Sequence, residues 1–234
     1  MRHLLEVLDR RTVEFAEHSF FDFLRDASID PRQKLSFVPT LAHFVLTFAD
    51  VYSLVLREEP AKDKHQELVN AHTREDGDHW KWFLADLEKL GHDPRLAFSE
   101  ALRFVWSDAT VNTRLLSYNI CRLGLGADSL HKLVLVHCIE ATGKVTLEHV
   151  APIGKELARL TGKNLVYFGP HHFNSENSHT LEQSEMKRMV EGIELEAELR
   201  VELLTLVDKS FALFTACADE QLAFAKSGRS IGST

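Results

Sequence analysis

The chain has little that would break a helix. It carries 11 glycines and 6 prolines in 234 residues, and they fall at junctions between long periodic stretches. Alternating runs long enough for a sheet strand are missing, so helix is the expected regular element. Cysteine is scarce too. Cys121, Cys138 and Cys217 are odd in number, far apart and in no CxxC pair. Neither a disulfide framework nor a zinc knuckle is expected from them, and a reducing interior fits. An excess of positive charge is also lacking: the net charge is -8, which argues against nucleic acid as a partner, because phosphate binding needs a basic face. The opening Met-Arg-His-Leu-Leu-Glu-Val-Leu-Asp-Arg-Arg meets charge too soon for a signal peptide. No apolar run approaches the ~20 residues that a membrane helix needs. The expectation is therefore a cytoplasmic protein with no membrane partner. Low-complexity segments, repeats and Gly/Ser linkers are missing as well, so residues 1–234 are expected to form a single domain.

What remains is an all-α pattern with ordinary apolar and charged content, 44% and 26%. A first helix is expected over residues 3–26. Asp30-Pro31 marks a break and restart, since proline suits a first helical turn. Phe37, Leu41, Phe44, Phe48, Val51 and Val55 alternate by four and three, and Val38, Ala42, Val45, Ala49 and Tyr52 repeat the pattern one residue on. A helix apolar on two adjoining faces is a buried one; Glu59-Pro60 ends it. A third helix is expected over 62–90 with Gly91 as its C-cap, a short one after Asp93-Pro94, and another over 109–124. A long helix starts near Ser129, with Pro152 bending or ending its first part. Thr161-Gly162-Lys163-Asn164 is a turn and Gly169-Pro170 a restart. Met189, Ile193, Ala197, Leu204, Val207, Phe211 and Phe214 keep helical spacing to about residue 225.

The 13 histidines are spread along the chain, but two segments concentrate them with acids: His72-Thr-Arg-Glu75-Asp-Gly-Asp-His79 and His172-Phe-Asn-Ser-Glu176-Asn-Ser-His179. Residues three, four and seven apart share one side of a helix. His72, Glu75 and His79 would then line up, as would His172, Glu176 and His179. Asp76 and Asp78 point elsewhere. Between the segments, Glu140 interrupts Leu133-Val-Leu-Val-His-Cys-Ile. A carboxylate in so apolar a run needs a cation, a donor or a metal as partner. His137 shares its face, and Gly143 one turn on would let a helix or ligand approach closely. Imidazoles and carboxylates converging from facing helices make a site for iron, manganese or zinc. Trp80, Trp82 and Phe83 are expected in the core or a pocket wall.

The order of these groups resembles the heme-oxygenase-like superfamily, which includes the TenA and PqqC groups. More narrowly it resembles the heme-oxygenase-like diiron oxidases, or iron-containing redox enzymes. That branch places a carboxylate and a histidine seven apart on one helix, a glutamate on a middle helix, then histidine, acid and histidine at x3 and x2 spacing. His79, Glu140, His172, Glu176 and His179 match those places, and Tyr167-Phe168-Gly169-Pro170-His171-His172 resembles the lead-in to the last helix. Two departures stand out. His72 occupies the first carboxylate position, with Glu75 a turn later, and Glu176 replaces the usual aspartate. An imidazole in place of a carboxylate removes charge that would balance two cations. One or two iron ions, manganese or zinc therefore stay open.

The resemblance implies a helical bundle of heme-oxygenase-like fold that uses O2 and a small-molecule substrate, with iron held by His72, Glu75, His79, Glu140, His172, Glu176 and His179. Tyr167 or Tyr118 would supply a proton or an electron, or simply pack. Two other readings stand beside it: a metal-independent TenA-like hydrolase using Cys138, and a non-catalytic small-ligand-binding helical protein. His18 could occupy the heme-binding place of heme oxygenase, but no glycine-rich distal helix accompanies it. A homodimer is compatible with the apolar helix stripes.

Overall fold

The computed structural model describes residues 2–178 and 195–231. All regular elements among the described residues are helical. They are α1 (Arg2–Ala16), α2 (Ser19–Arg25), α3 (Pro31–Lys34), α4 (Ala42–Asp50), α5 (Lys64–Glu75), α6 (His79–Leu90), α7 (Phe98–Val105), α8 (Val111–Gly124), α9 (Ser129–Thr161), α10 (Pro170–Ser178) and α11 (Ala197–Ser227). The all-α class and bundle-like packing expected from the periodicity are what the fold shows.

Local chemistry explains most boundaries. The Asp30 carboxylate accepts from Arg32 N–H at 2.7 Å and Pro31 opens α3. Asp128 caps α9 by accepting from His131 N–H at 2.9 Å. Gly91 and Gly162 close α6 and α9 with φ of 78° and 73°, a left-handed conformation that suits glycine.

Three expectations change. The first helix is split at His18, whose Nδ1 accepts from Phe20 N–H at 3.2 Å and caps α2. Pro152 lies inside α9, which runs its full 33 residues without ending there. The helix expected over 62–90 is interrupted by a tight turn at Asp76–Asp78. Helical phase therefore does not carry through from His72 and Glu75 to His79. Gly77 in that turn has a low helix propensity, and the acids either side favour turns and caps.

Helix α9 is the axis of the fold. Leu133, Leu135, Val136, Cys138, Val150 and Ile153 are all buried on it, and α1, α2, α5, α8, α10 and α11 all pack against it. Each such aliphatic side chain contributes roughly 1.5–3 kcal/mol by leaving water. Between α4 and Arg57 the helix widens into a π-helical turn over Val51–Leu56, with Arg57 N–H donating to the Tyr52 carbonyl at 3.0 Å. The stretch Pro31–Leu56 is long and apolar enough, by length and composition, to cross a membrane, contrary to the expectation that no run comes close. Its pattern is broken by Lys34, His43 and Asp50, and 44% of its most apolar window is buried inside the fold.

Candidate functional site

Helices α5, α6, α9 and α10 bring the histidine segments and Glu140 together. His72, on the inner face of α5, is 6% exposed. Its Nε2 lies 3.0 Å from Glu140 Oε1 on α9, and the Tyr52 hydroxyl lies 3.3 Å from the same nitrogen. His79 opens α6. Its ring stacks on Trp82 at 4.3 Å and meets the His172 ring edge-on at 4.6 Å. His172 on α10 is buried, and its Nδ1 donates to the Tyr167 carbonyl at 3.0 Å. That bond puts the proton on Nδ1 and the ring lone pair on Nε2, the arrangement of a ligating imidazole.

His79, Glu140 and His172 line one cavity of about 150 Å³. Most of its remaining wall is apolar: Phe15, Phe20, Phe21, Phe44, Phe48 and Phe214, with aliphatic residues between them. The aromatic rings contact one another, as in Phe44–Phe48 at 5.1 Å and Phe44–Phe214 at 6.1 Å. Trp80 and Tyr167 also belong to the wall, whereas Phe83 is fully buried core. Tyr118 is 51% exposed and packs on His43, outside the cavity lining.

The predicted ligands are thus placed unequally. His72 meets Glu140, and His79 meets His172. Glu75 is exposed at the end of α5 and is not on the cavity wall. Glu176 falls within α10, but its side chain is outside the described atoms, and His179 lies outside the described residues. Among the described residues, no three His, Cys, Asp or Glu side chains form a group that could hold a metal ion. The donor types present nevertheless suit iron, manganese or zinc. The His72–Glu140 spacing of 3.0 Å is that of a direct hydrogen bond between imidazole and carboxylate.

Two polar groups that sequence reasoning passed over hold this region. Asp86, on α6 two turns past His79, is fully buried. Its carboxylate accepts from the Val166 N–H at 2.9 Å and the Phe168 N–H at 3.0 Å, and Lys89 pairs with it at 3.1 Å. It thereby fixes the loop that leads into α10 and His172. Gly154 on α9 presses against the same loop, and a Cβ there would strike the Phe168 carbonyl. A signal for Asp86 exists: it shares the helical face of His79 and Phe83. Tyr52 leaves no such signal, because the π-helical turn that aims it at His72 has no sequence mark.

Cys138 is fully buried and off the cavity wall, and burial pushes its thiol up to about 12. Cys217 does line the cavity, yet burial raises it to about 11. Neither thiol is set up as a nucleophile. Neither a family model nor a curated protein sequence matches this chain.

Proposed function

We propose that this chain is a non-heme iron oxidase or oxygenase of the heme-oxygenase-like superfamily that acts with O2 on a small organic substrate. One observation carries it: groups from α6, α9 and α10 (His79, Glu140 and His172) line a single cavity, with His72 of α5 3.0 Å from Glu140. His72, His79, Glu140 and His172 would hold the metal, with Glu176 and His179 as further ligands; manganese or zinc would suit the same donors. The bound metal would supply redox chemistry with O2.

The chain's own groups position and insulate. The Tyr167 carbonyl holds His172 in its Nδ1–H tautomer. Trp82 fixes the His79 ring by stacking. Tyr52, buried beside His72, keeps that ring aimed at Glu140. The phenylalanine wall excludes water and strengthens electrostatic interactions across the cavity.

An oxygen-free Fe(II) titration followed by optical and Mössbauer spectra tests this. Stoichiometric high-affinity Fe(II) that reacts with O2 is expected, with less iron bound in His172→Ala and His179→Ala. Iron content unchanged in either variant removes that residue from the ligand set, and no iron binding at all ends the oxidase assignment. The apolar cavity also favours a second function, a non-catalytic binder of small apolar molecules, which predicts ligand binding without metal. A cytoplasmic location, a single domain and a homodimer are compatible with either. The hydrolase alternative gains no support from Cys138, given its burial.

A further inference from the structure

Helix α7 holds Phe98, Leu102, Phe104 and Val105, yet none of its eight residues is buried. Its inner side meets the body through Phe104, whose ring lies 5.8 Å from that of Phe224 on α11. Its C-terminal end is fixed by Arg114 of α8, which donates to the Val105 and Ser107 carbonyls at 2.9 Å. Phe98, Leu102 and Trp106 follow in steps of four and so share the outer stripe. Phe98 is 78% exposed and Trp106 58%. The stripe continues onto α8. The Trp106 and Tyr118 rings both meet the His43 ring edge-on, at 5.6 Å and 5.3 Å, and Leu115 lies one turn from Tyr118. All five outer side chains are exposed, and none of them lines the cavity. Residues 93–125 contain no lysine. Their cations are Arg95, Arg103, Arg114 and Arg122, set against the acids Asp93, Glu100 and Asp108.

We infer that this face of α7 and α8 pairs with the same face of a second copy of the chain about a twofold axis. Taking ~200 Å² for a large side chain, the five residues expose roughly 550 Å². Monomers seldom leave a larger apolar patch in water. A standard interface takes ~800 Å² from each partner, about 65% of it apolar in homodimers, or ~520 Å². The patch thus supplies the apolar part of one such interface. Its composition fits as well, since interface cores favour Trp, Tyr, Phe and Arg and avoid Lys. Charge selects the partner. Four arginines against three acids make the face nearly neutral, which suits a surface that must meet itself, although the whole chain carries -8. An anionic lipid surface would call for a larger cationic excess. A same-to-same contact is closed, so association stops at two copies. Trp106 and Phe98, the most exposed rings, are the anchors that carry most of the binding energy.

Sedimentation velocity of the full-length protein over a wide concentration range tests the pairing. Wild type is expected to pass from one copy to two at micromolar concentration and to grow no further. Trp106→Glu and Phe98→Glu each put a charge within the face and should weaken the dimer roughly a hundredfold or more. Val201→Glu is the control. Val201 is 64% exposed but sits near the N-terminal end of α11, far from Phe224 and hence from α7. That variant should dimerise like wild type, with circular dichroism confirming the fold of all three. A monomer at every concentration, growth beyond two copies, a dimer that survives both substitutions on the face, or one lost equally in Val201→Glu overturns the inference. So does a monomer that co-sediments with phosphatidylcholine–phosphatidylglycerol vesicles and loses that binding in Trp106→Glu, which would assign the face to lipid.

Discussion

Asp86 and Glu140 are both acids turned inward from helices, and their surroundings could hardly differ more. Asp86 is fully buried and accepts two backbone N–H bonds from the loop at Val166 and Phe168, with Lys89 beside it. Everything it needs comes from the backbone and its own helix, so it acts as a clasp. Glu140 keeps 15% of its side chain exposed, lines the cavity and meets a histidine from another helix. A buried carboxylate satisfied by main-chain donors is a structural device. One that pairs with an imidazole at the edge of a cavity it lines sits where a ligand can reach it. The comparison separates two reasons for placing costly charge in a core.

The sharpest way to break it is at the clasp. Asp86→Ala removes two charge-assisted bonds and leaves two amides unsatisfied, which should cost about 3–5 kcal/mol in urea unfolding. Gly154→Ala pushes on the same loop from α9 and should also lower the urea midpoint, by a smaller amount if the loop can shift. Glu140→Gln should behave oppositely: a stability change under about 1 kcal/mol, but at least a tenfold loss of Fe(II) affinity by titration. If Glu140→Gln destabilises the fold as much as Asp86→Ala, the distinction fails.

Tyr52→Phe removes a hydroxyl beside His72 and should weaken Fe(II) binding severalfold, while urea unfolding moves by about 1 kcal/mol. The smallest effect concerns Glu58, a carboxylate remote from the cavity. Hydrogen bonds from Lys132 and Lys62 lower its pKa from 4.5 to about 2. A depressed carboxylate stabilises the fold above its unfolded value and loses that contribution as pH falls through the folded one. Urea midpoints should therefore drop between pH ~4.5 and ~2, and less so in Lys132→Met. Glu58 is partly exposed, so solvent screening keeps the change small.

Much of the fold was legible because proline, glycine and Asx residues punctuate the chain where helices stop. Glu140 could be picked out because a lone acid in Leu133–Ile139 has no cheap burial. The His72–His79 register could not be read. It assumed an unbroken helix, and Asp76–Asp78 is compatible with both a helix and a turn until packing decides. The shared face with His79 and Phe83 marks Asp86 as inward-facing, but its role was hidden because its partners are backbone amides eighty residues away, and main-chain donors leave no trace in side-chain identity.

The widened turn at Val51–Leu56 settles how far the aromatic wall can run. Phe44, Phe48, Tyr52 and Leu56 recur every fourth residue, and in a regular α-helix each such step drifts ~40° around the axis. Three steps would swing Leu56 about 120° from Phe44. A turn closed by a five-residue bond takes up the surplus and rotates the row back. Tyr52 stays against Phe48, 4.0 Å between rings, and Leu56 stays fully buried. Removing a single residue here would restore ordinary pitch and steer the phenol away from the imidazole it now touches.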